Sequence, residues 1–184
     1  MFTIRSTSLI AMLLLSAAWV GAQENEPAVQ RQLEIDANAQ ATLDKLFSEK
    51  ADTRELFDRA AGYAVFTATK AGFLVTGGGG TGVAVNKSTG QRTYMRMGTG
   101  GVGLGIGAQR YDLVIMFEDQ AHLDRFVAGG WDASASAQAA AGSDGITLTS
   151  SFVGGVAFFQ ITDRGLMAQA DVSGTRFWVI DDLN

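Results

Sequence analysis

Cysteine is absent from this chain, and proline and histidine occur once each. Without cysteine there are no disulfides and no thiolate metal sites. A single histidine, His122, cannot build a multi-histidine metal site. As a general base it would need a nucleophile and an orienting group, and no Ser-His-Asp or G-x-S-x-G arrangement accompanies it. Its setting amid Leu123 and Phe126, near Asp119 and Asp124, reads as a surface or half-buried helical residue. Paired carboxylates are no better placed: Asp181-Asp182 lies at the far end, and Asp112 and Asp171 fall at strand ends, where turn or edge roles are common. A hydrolase using His122 is therefore the weakest reading, and the expectation is a protein that is not an enzyme, with no cofactor and no metal. Positive charge is scarce too, with a net charge of −5. Such a chain is a poor nucleic-acid binder and a poor candidate for broad electrostatic adhesion to an anionic bilayer, which leaves room only for a local basic patch.

Long apolar runs are also missing, with one exception. Leu9 to Val20 reads LIAMLLLSAAWV, preceded by Arg5 and followed by the small residues Gly21 and Ala22. A transmembrane helix needs about 20 apolar residues, so this run is too short. Its layout is that of a secretory signal peptide, with cleavage expected after Ala22. Residues 1–22 are thus expected to be removed, leaving 162 residues, enough for a single domain spanning 23–184. The mature net charge would be −6, since Arg5 is the only charge lost. No cysteine follows the run to carry a lipid, so a soluble periplasmic or secreted protein is expected.

What the chain has in abundance is glycine. Thirteen of its 23 glycines lie between Gly72 and Gly107. Gly101, Gly103, Gly105 and Gly107 alternate with Val102, Leu104 and Ile106. Successive side chains on a strand point to opposite faces, so this strand has one apolar face and one bare face. Glycine weakens a strand, and the usual compensation is close approach by another backbone, a packed helix or a ligand. The same region holds Gly77, Gly78, Gly79, Gly80 and Gly82.

Elsewhere the periodicity is easier to read. Val29, Leu33, Ala37, Leu43, Leu46 and Phe47 form one face of a helix from Ala28 to Phe47. Asp52 with Glu55 resembles a capping box for a second helix closed by Gly62. The period then changes to two. Strands are expected at 63–67, 73–76, 82–86, 92–97, 102–108 and 112–117, with a turn at 87–90. A short helix over 119–128 follows, ended by Gly129-Gly130. Ala133 to Ala141 alternates alanine with polar residues and leans towards strand; 146–152, 156–161, 166–172 and 175–180 complete an antiparallel sheet.

Two G-x-G-x-x-G matches, Gly77-Gly79-Gly82 and Gly98-Gly100-Gly103, fail as dinucleotide sites because strands, not helix N-termini, follow them. Arg92, Tyr94 and Arg96 share one face of a strand, where two guanidinium groups flanking a phenol could hold a phosphate; a solvated sheet face is the other reading. Lys70, at an expected hairpin beside Phe73, is a second candidate anion contact.

In this order and spacing, several segments resemble the SYLF lipid-binding family. They are Ala61-Gly62-Tyr63-Ala64-Val65-Phe66; Lys70-Ala71-Gly72-Phe73-Leu74-Val75 leading into Gly77 to Gly82; Gly103-Leu104-Gly105-Ile106-Gly107-Ala108-Gln109; and Asp112-Leu113-Val114-Ile115. Asp132-Ala133-Ser134 with the alanine run, and Gly165-Leu166-Met167-Ala168 before Gly174, complete the match. The resemblance spans roughly 61–175 and implies an α+β domain, N-terminal helices packed on a glycine-rich, mainly antiparallel sheet or barrel. It implies non-catalytic association with phospholipid or a membrane surface, here in the bacterial cell envelope. Lys70, Phe73, Arg92, Tyr94 and Arg96 are the expected lipid contacts, with Gly101, Gly103, Gly105 and Gly107 as close-approach positions. Two departures limit the carry-over. Gly142-Ser143 stands where a Gly-Pro pair is common, and the basic N-terminal segment that binds phosphoinositides in eukaryotic members is unmatched: Arg31 and Lys45 face Glu34, Asp36 and Asp44. Neither phosphoinositide specificity nor actin binding is carried over. The alternative is a structural or protein-interaction module of the envelope, with an unknown partner, in which the glycines serve packing alone.

Overall fold

A computed structural model describes residues 10–129, 151–162, 165–167 and 174–184. Three helices, α1 (Ile10–Glu49), α2 (Thr53–Arg59) and α3 (Gln120–Val127), accompany five strands, β1 (Gly62–Asn86), β2 (Arg92–Phe117), β3 (Val156–Thr162), β4 (Gly165–Met167) and β5 (Thr175–Val179). All strand pairs are antiparallel. The expected α+β architecture is what forms, and the sheet is open rather than closed into a barrel.

The short strands expected between 63 and 117 are segments of two long ones. β1 and β2 form a single hairpin from Gly62↔Phe117 to Val85↔Arg92. Their register slips once: Gly72 faces Gly107 while Leu74 faces Gly103, so β2 carries more chain than β1 at that point. Such an irregularity bends a sheet. The consequence appears farther along β1, whose second half lies against its first. A Cβ on Gly78 would sit 2.8 Å from Lys70 Cα, one on Gly80 2.7 Å from Ala68 Cα, and one on Gly82 2.5 Å from Phe66 Cδ1. These alternate glycines are a bare strand face occupied by backbone. The surroundings of Gly101, Gly103, Gly105 and Gly107 lie outside the described side chains, as do the Phe73 ring and the 133–141 and 146–150 segments.

Beyond the bend, β2 has two neighbours on its other side. Tyr111 to Phe117 pairs with β3, and Met95 to Thr99 pairs with β5. The sheet is covered on both faces. α1 buries Ile35, Ala39, Leu43 and Leu46, spaced by about a helical turn, against Val65, Val83, Val114 and Phe159. α3 buries Leu123 and Phe126 against Phe66, Met95, Leu113 and Phe177 on the opposite face. Alternation along β1 and β2 is what lets one strand supply both cores.

Several local expectations need correction. α1 runs N-terminally through Pro27 to Ile10 rather than starting at Ala28. The Leu- and Ala-rich run before it is a strong helix former, enough to carry the helix past one proline. Asp52 does not cap α2: its backbone is already helical (φ −67°), and its carboxylate pairs with Lys50. Gly62 opens β1 instead of closing α2, because Ala60 is already extended and a side chain at 62 would strike Leu123 and the Val85 carbonyl. Residues 151 and 152 lie outside any strand. α3 is one residue shorter at each end than the expected 119–128: Asp119 is its N-cap rather than part of it, and Gly129 stands in left-handed backbone (φ 74°) just beyond its end, as expected. Among the described residues, no helix is long and apolar enough to cross a membrane.

Candidate functional site

Arg92, Tyr94 and Arg96 do share a face of β2, but their surroundings differ. Asp36, on the α1 face that crosses the sheet, takes the first two. The Tyr94 hydroxyl donates to Asp36 Oδ2 at 3.1 Å, and Arg92 Nε lies 3.4 Å from the same oxygen. Tyr94 is buried. Its backbone is held as firmly: the Asn184 side chain accepts from the Tyr94 N–H (2.8 Å) and donates to its carbonyl (2.9 Å). A carboxylate of the protein itself thus occupies the position where a phosphate would bridge Arg92 and Tyr94.

This pairing has a pH signature. Burial first, then the Asp36 charge and hydrogen bond, hold the Tyr94 hydroxyl above its ordinary value of 10.0. Burial also raises Tyr63, against a lowering by Arg92. A raised pKa in the folded state means that the unfolded chain loses its proton first. The corresponding stability is complete below pH 10.0 and is lost as pH rises through the raised folded values. Melting temperature is expected to fall above pH 10.0, and Tyr94→Phe should flatten that fall. An equally steep fall in the variant would remove Tyr94 as its source.

Arg96 is different. It is exposed, and among the described residues it has no ion-pair partner. Its strand neighbours are Thr81 on β1 and Trp178 on β5. One step along, Gly98 faces Gly79 and Arg176. Residues paired across antiparallel strands share a face. Arg96, Trp178 and Arg176 therefore stand together on the outer side of the sheet. Phe177 points inward and is buried, while Arg176 and Trp178 are exposed. Arg176, like Arg96, has no ion-pair partner among the described residues. The sequence reading missed Arg176 and Trp178. Their alternation around Phe177 was visible, but their pairing with β2 joins segments about eighty positions apart.

The other expected contacts do not join this group. Lys70 faces Gln109 in the other half of the bent hairpin, where the second half of β1 crosses it at Gly78. Phe73 falls at the register slip. His122 is occupied locally: Nδ1 lies 2.7 Å from Asp119 Oδ1, and its ring packs on Gly155. The hydrogen bonds from His122, backbone then side chain, hold the Asp119 carboxyl below its usual range. Among the described residues, no group of three or more His, Asp or Glu is positioned to hold a metal ion. An open groove of about 290 Å³ lies between α3 and the hairpin tip. Its rim residues are tied to one another, Asn86 to Gln120 at 3.0 Å and Gln120 to Asp124 at 2.6 Å.

Residues 98–184, which include most of β2, α3 and β5, match the Ysc84 family, described as "Las17-binding protein actin regulator". The chain is also 40% identical over 156 residues to "Beta cell expansion factor A" of Aeromonas veronii. That alignment covers 85% of this chain and 60% of the relative, so the chain spans well under the relative's full length. Both matches agree with the motif order from Ala61 to Gly174, and residues 98–184 are the part of the chain that is similar to the Ysc84, or SYLF, family.

Proposed function

We propose that this protein binds anionic phospholipid surfaces in the cell envelope and catalyses no reaction on them. One observation supports this above the rest. In a chain of net charge −5, two arginines without ion-pair partners among the described residues stand exposed together on one face of the sheet. Guanidinium groups match phosphate oxygens in geometry and charge. The lipid association implied by the family resemblance fits that chemistry. Arg92 contributes less than its position suggests, because Asp36 already balances it.

Vesicle co-sedimentation tests the reading. The protein is expected to pellet with vesicles containing phosphatidylglycerol and far less with phosphatidylcholine alone. Arg96→Ala should weaken the anionic-vesicle binding about fivefold, from roughly 1 kcal/mol per arginine near such a surface. Added salt should weaken it further, since the Debye length at physiological salt is about 8 Å. No pelleting with either vesicle would overturn lipid binding and favour the protein-interaction module.

A further inference from the structure

The outer face around Arg96 has a shape as well as a charge. Trp178 is one of only three large hydrophobic side chains that are exposed among the described residues, at 45%. It is the only aromatic of the three, the others being Val29 and Leu33 on α1. Its ring lies on Gly98: a Cβ there would sit 2.8 Å from Cη2 and 3.3 Å from Cζ3. The positions around this seat are low. Gly79 pairs with Gly98, and Gly77 pairs with Gly100, where an added Cβ on either strand would meet nothing within 4 Å. Trp178 therefore rises from a floor of glycine. Arg96 is its partner across the strand pair, and Arg176 lies two residues before it on the same face.

The charge on this face is one-sided. The register positions on β1, β2 and β5 carry Gly77, Gly79 and Thr81; Arg96, Gly98 and Gly100; and Arg176 and Trp178, with no carboxylate among them. Asp36 is committed to Arg92 and Tyr94 farther up the strand. Asp181 and Asp182 belong to the turn that follows β5. A broad face of this kind suits a surface rather than an enclosed small molecule. Its chemistry suits one particular surface. An indole is amphipathic and settles at the boundary between headgroups and acyl chains. Guanidinium groups on either side would meet the phosphates at that depth.

We propose that Trp178, seated on Gly98 and flanked by Arg96 and Arg176, is the anchor that enters the headgroup region of an anionic bilayer. This rests on the lipid-binding reading above and adds the docking face and the inserted residue. Gly98 is then a positioning residue: its missing side chain sets how the indole is presented.

Tryptophan fluorescence of the full chain, titrated with phosphatidylglycerol-containing vesicles, tests it. The emission is expected to shift to shorter wavelength and to be quenched by brominated acyl chains. Because the chain also carries Trp19 and Trp131, the Trp178 signal is read as the difference between the unmodified protein and Trp178→Phe, and that difference should show both the shift and the quenching. Trp178→Ala should lower vesicle affinity about fivefold or more, with Trp178→Phe recovering part of the loss. Gly98→Val keeps the indole but displaces it, and should reduce both the spectral shift and the affinity. Pelleting with no change in Trp178 emission and no loss in Trp178→Ala would overturn this face while leaving lipid binding intact. Absence of pelleting by the unmodified protein would overturn both. Should the alanine variant fold poorly, quenching of the unmodified protein, compared with Trp178→Phe, decides the matter alone.

Discussion

Gly80→Val is expected to destabilise the fold by about 3 kcal/mol, the upper end of what overpacking usually costs. The reason is the identity of the neighbour. A Cβ at Gly80 would meet the Thr67 carbonyl and lie 2.7 Å from both Ala68 Cα and Ala68 Cβ. A flexible side chain could swing away, but here the obstacle is the other half of the same strand, fixed by its pairing with β2 at Asp112 and Tyr111. Relief requires the two halves of the hairpin to separate, which would open the core containing Phe66, Met95 and Phe177. For a domain of this size the loss corresponds to a fall in melting temperature of roughly 6–12 °C. Gly77→Val is the matched control. Nothing lies within 4 Å of a Cβ at that position, so its effect should stay within about 0.5 kcal/mol. Thermal melts of the two variants decide it. Equal melting temperatures would mean that the two halves of β1 are not held in contact in solution.

The same glycines show what could be read from sequence and what could not. The alternation of Gly101, Gly103, Gly105 and Gly107 concerns residues whose surroundings lie outside the described side chains; from Gly77 to Gly82 the density of glycine, and with it some close approach, was legible. The identity of the approaching group was not, because it is β1 itself, brought back by a bend. That bend depends on a register slip between Gly72 and Leu74 on one strand and Gly103 and Gly107 on the other. Local patterns carry no register between distant strands. For the same reason the sequence suggested separate short strands within 62–117, where two long ones run: glycine clusters look like breaks unless their hydrogen bonds are known. The helices were more legible, since Leu43, Leu46, Leu123 and Phe126 fall on faces that a 3.6-residue period identifies.

The candidate site divides along the same line. That Arg92, Tyr94 and Arg96 share a face follows from period two, and they do. That Asp36 would claim two of them required knowing which turn of α1 crosses β2. Both the phosphate-clamp expectation and Asp36 rest on the same chemistry, an anion between a guanidinium and a phenol. The fold supplies that anion from within. Trp178 and Arg176 entered the site through β5, whose partner is fixed by long-range pairing.

Phe126→Ala is expected to have the second large effect, about 3–5 kcal/mol, as for other buried aromatics cut to alanine. Phe126 is fully buried, and its ring stands 5.0 Å from both Phe117 and Phe177 and 6.2 Å from Phe66. These rings come from α3, both long strands and β5, so one side chain ties the helix to the two halves of the bent hairpin at once. Removing it leaves a cavity that no single neighbour can fill, because each partner is fixed by a different strand. The loss would consume a large share of the 5–15 kcal/mol typical of a folded domain. In urea the midpoint should fall while the slope stays constant, the sign of lost stability without a change in the surface exposed. Trp178→Ala, on the outer face of the same β5, should leave that midpoint nearly unchanged and alter vesicle binding instead. The two aromatics, Phe126 in the core beneath α3 and Trp178 on the exposed side of β5, thus separate stability from vesicle binding. An unchanged midpoint in Phe126→Ala would show that α3 rests on the sheet through its Asp119 cap and Leu123 alone, with the aromatic cluster contributing little.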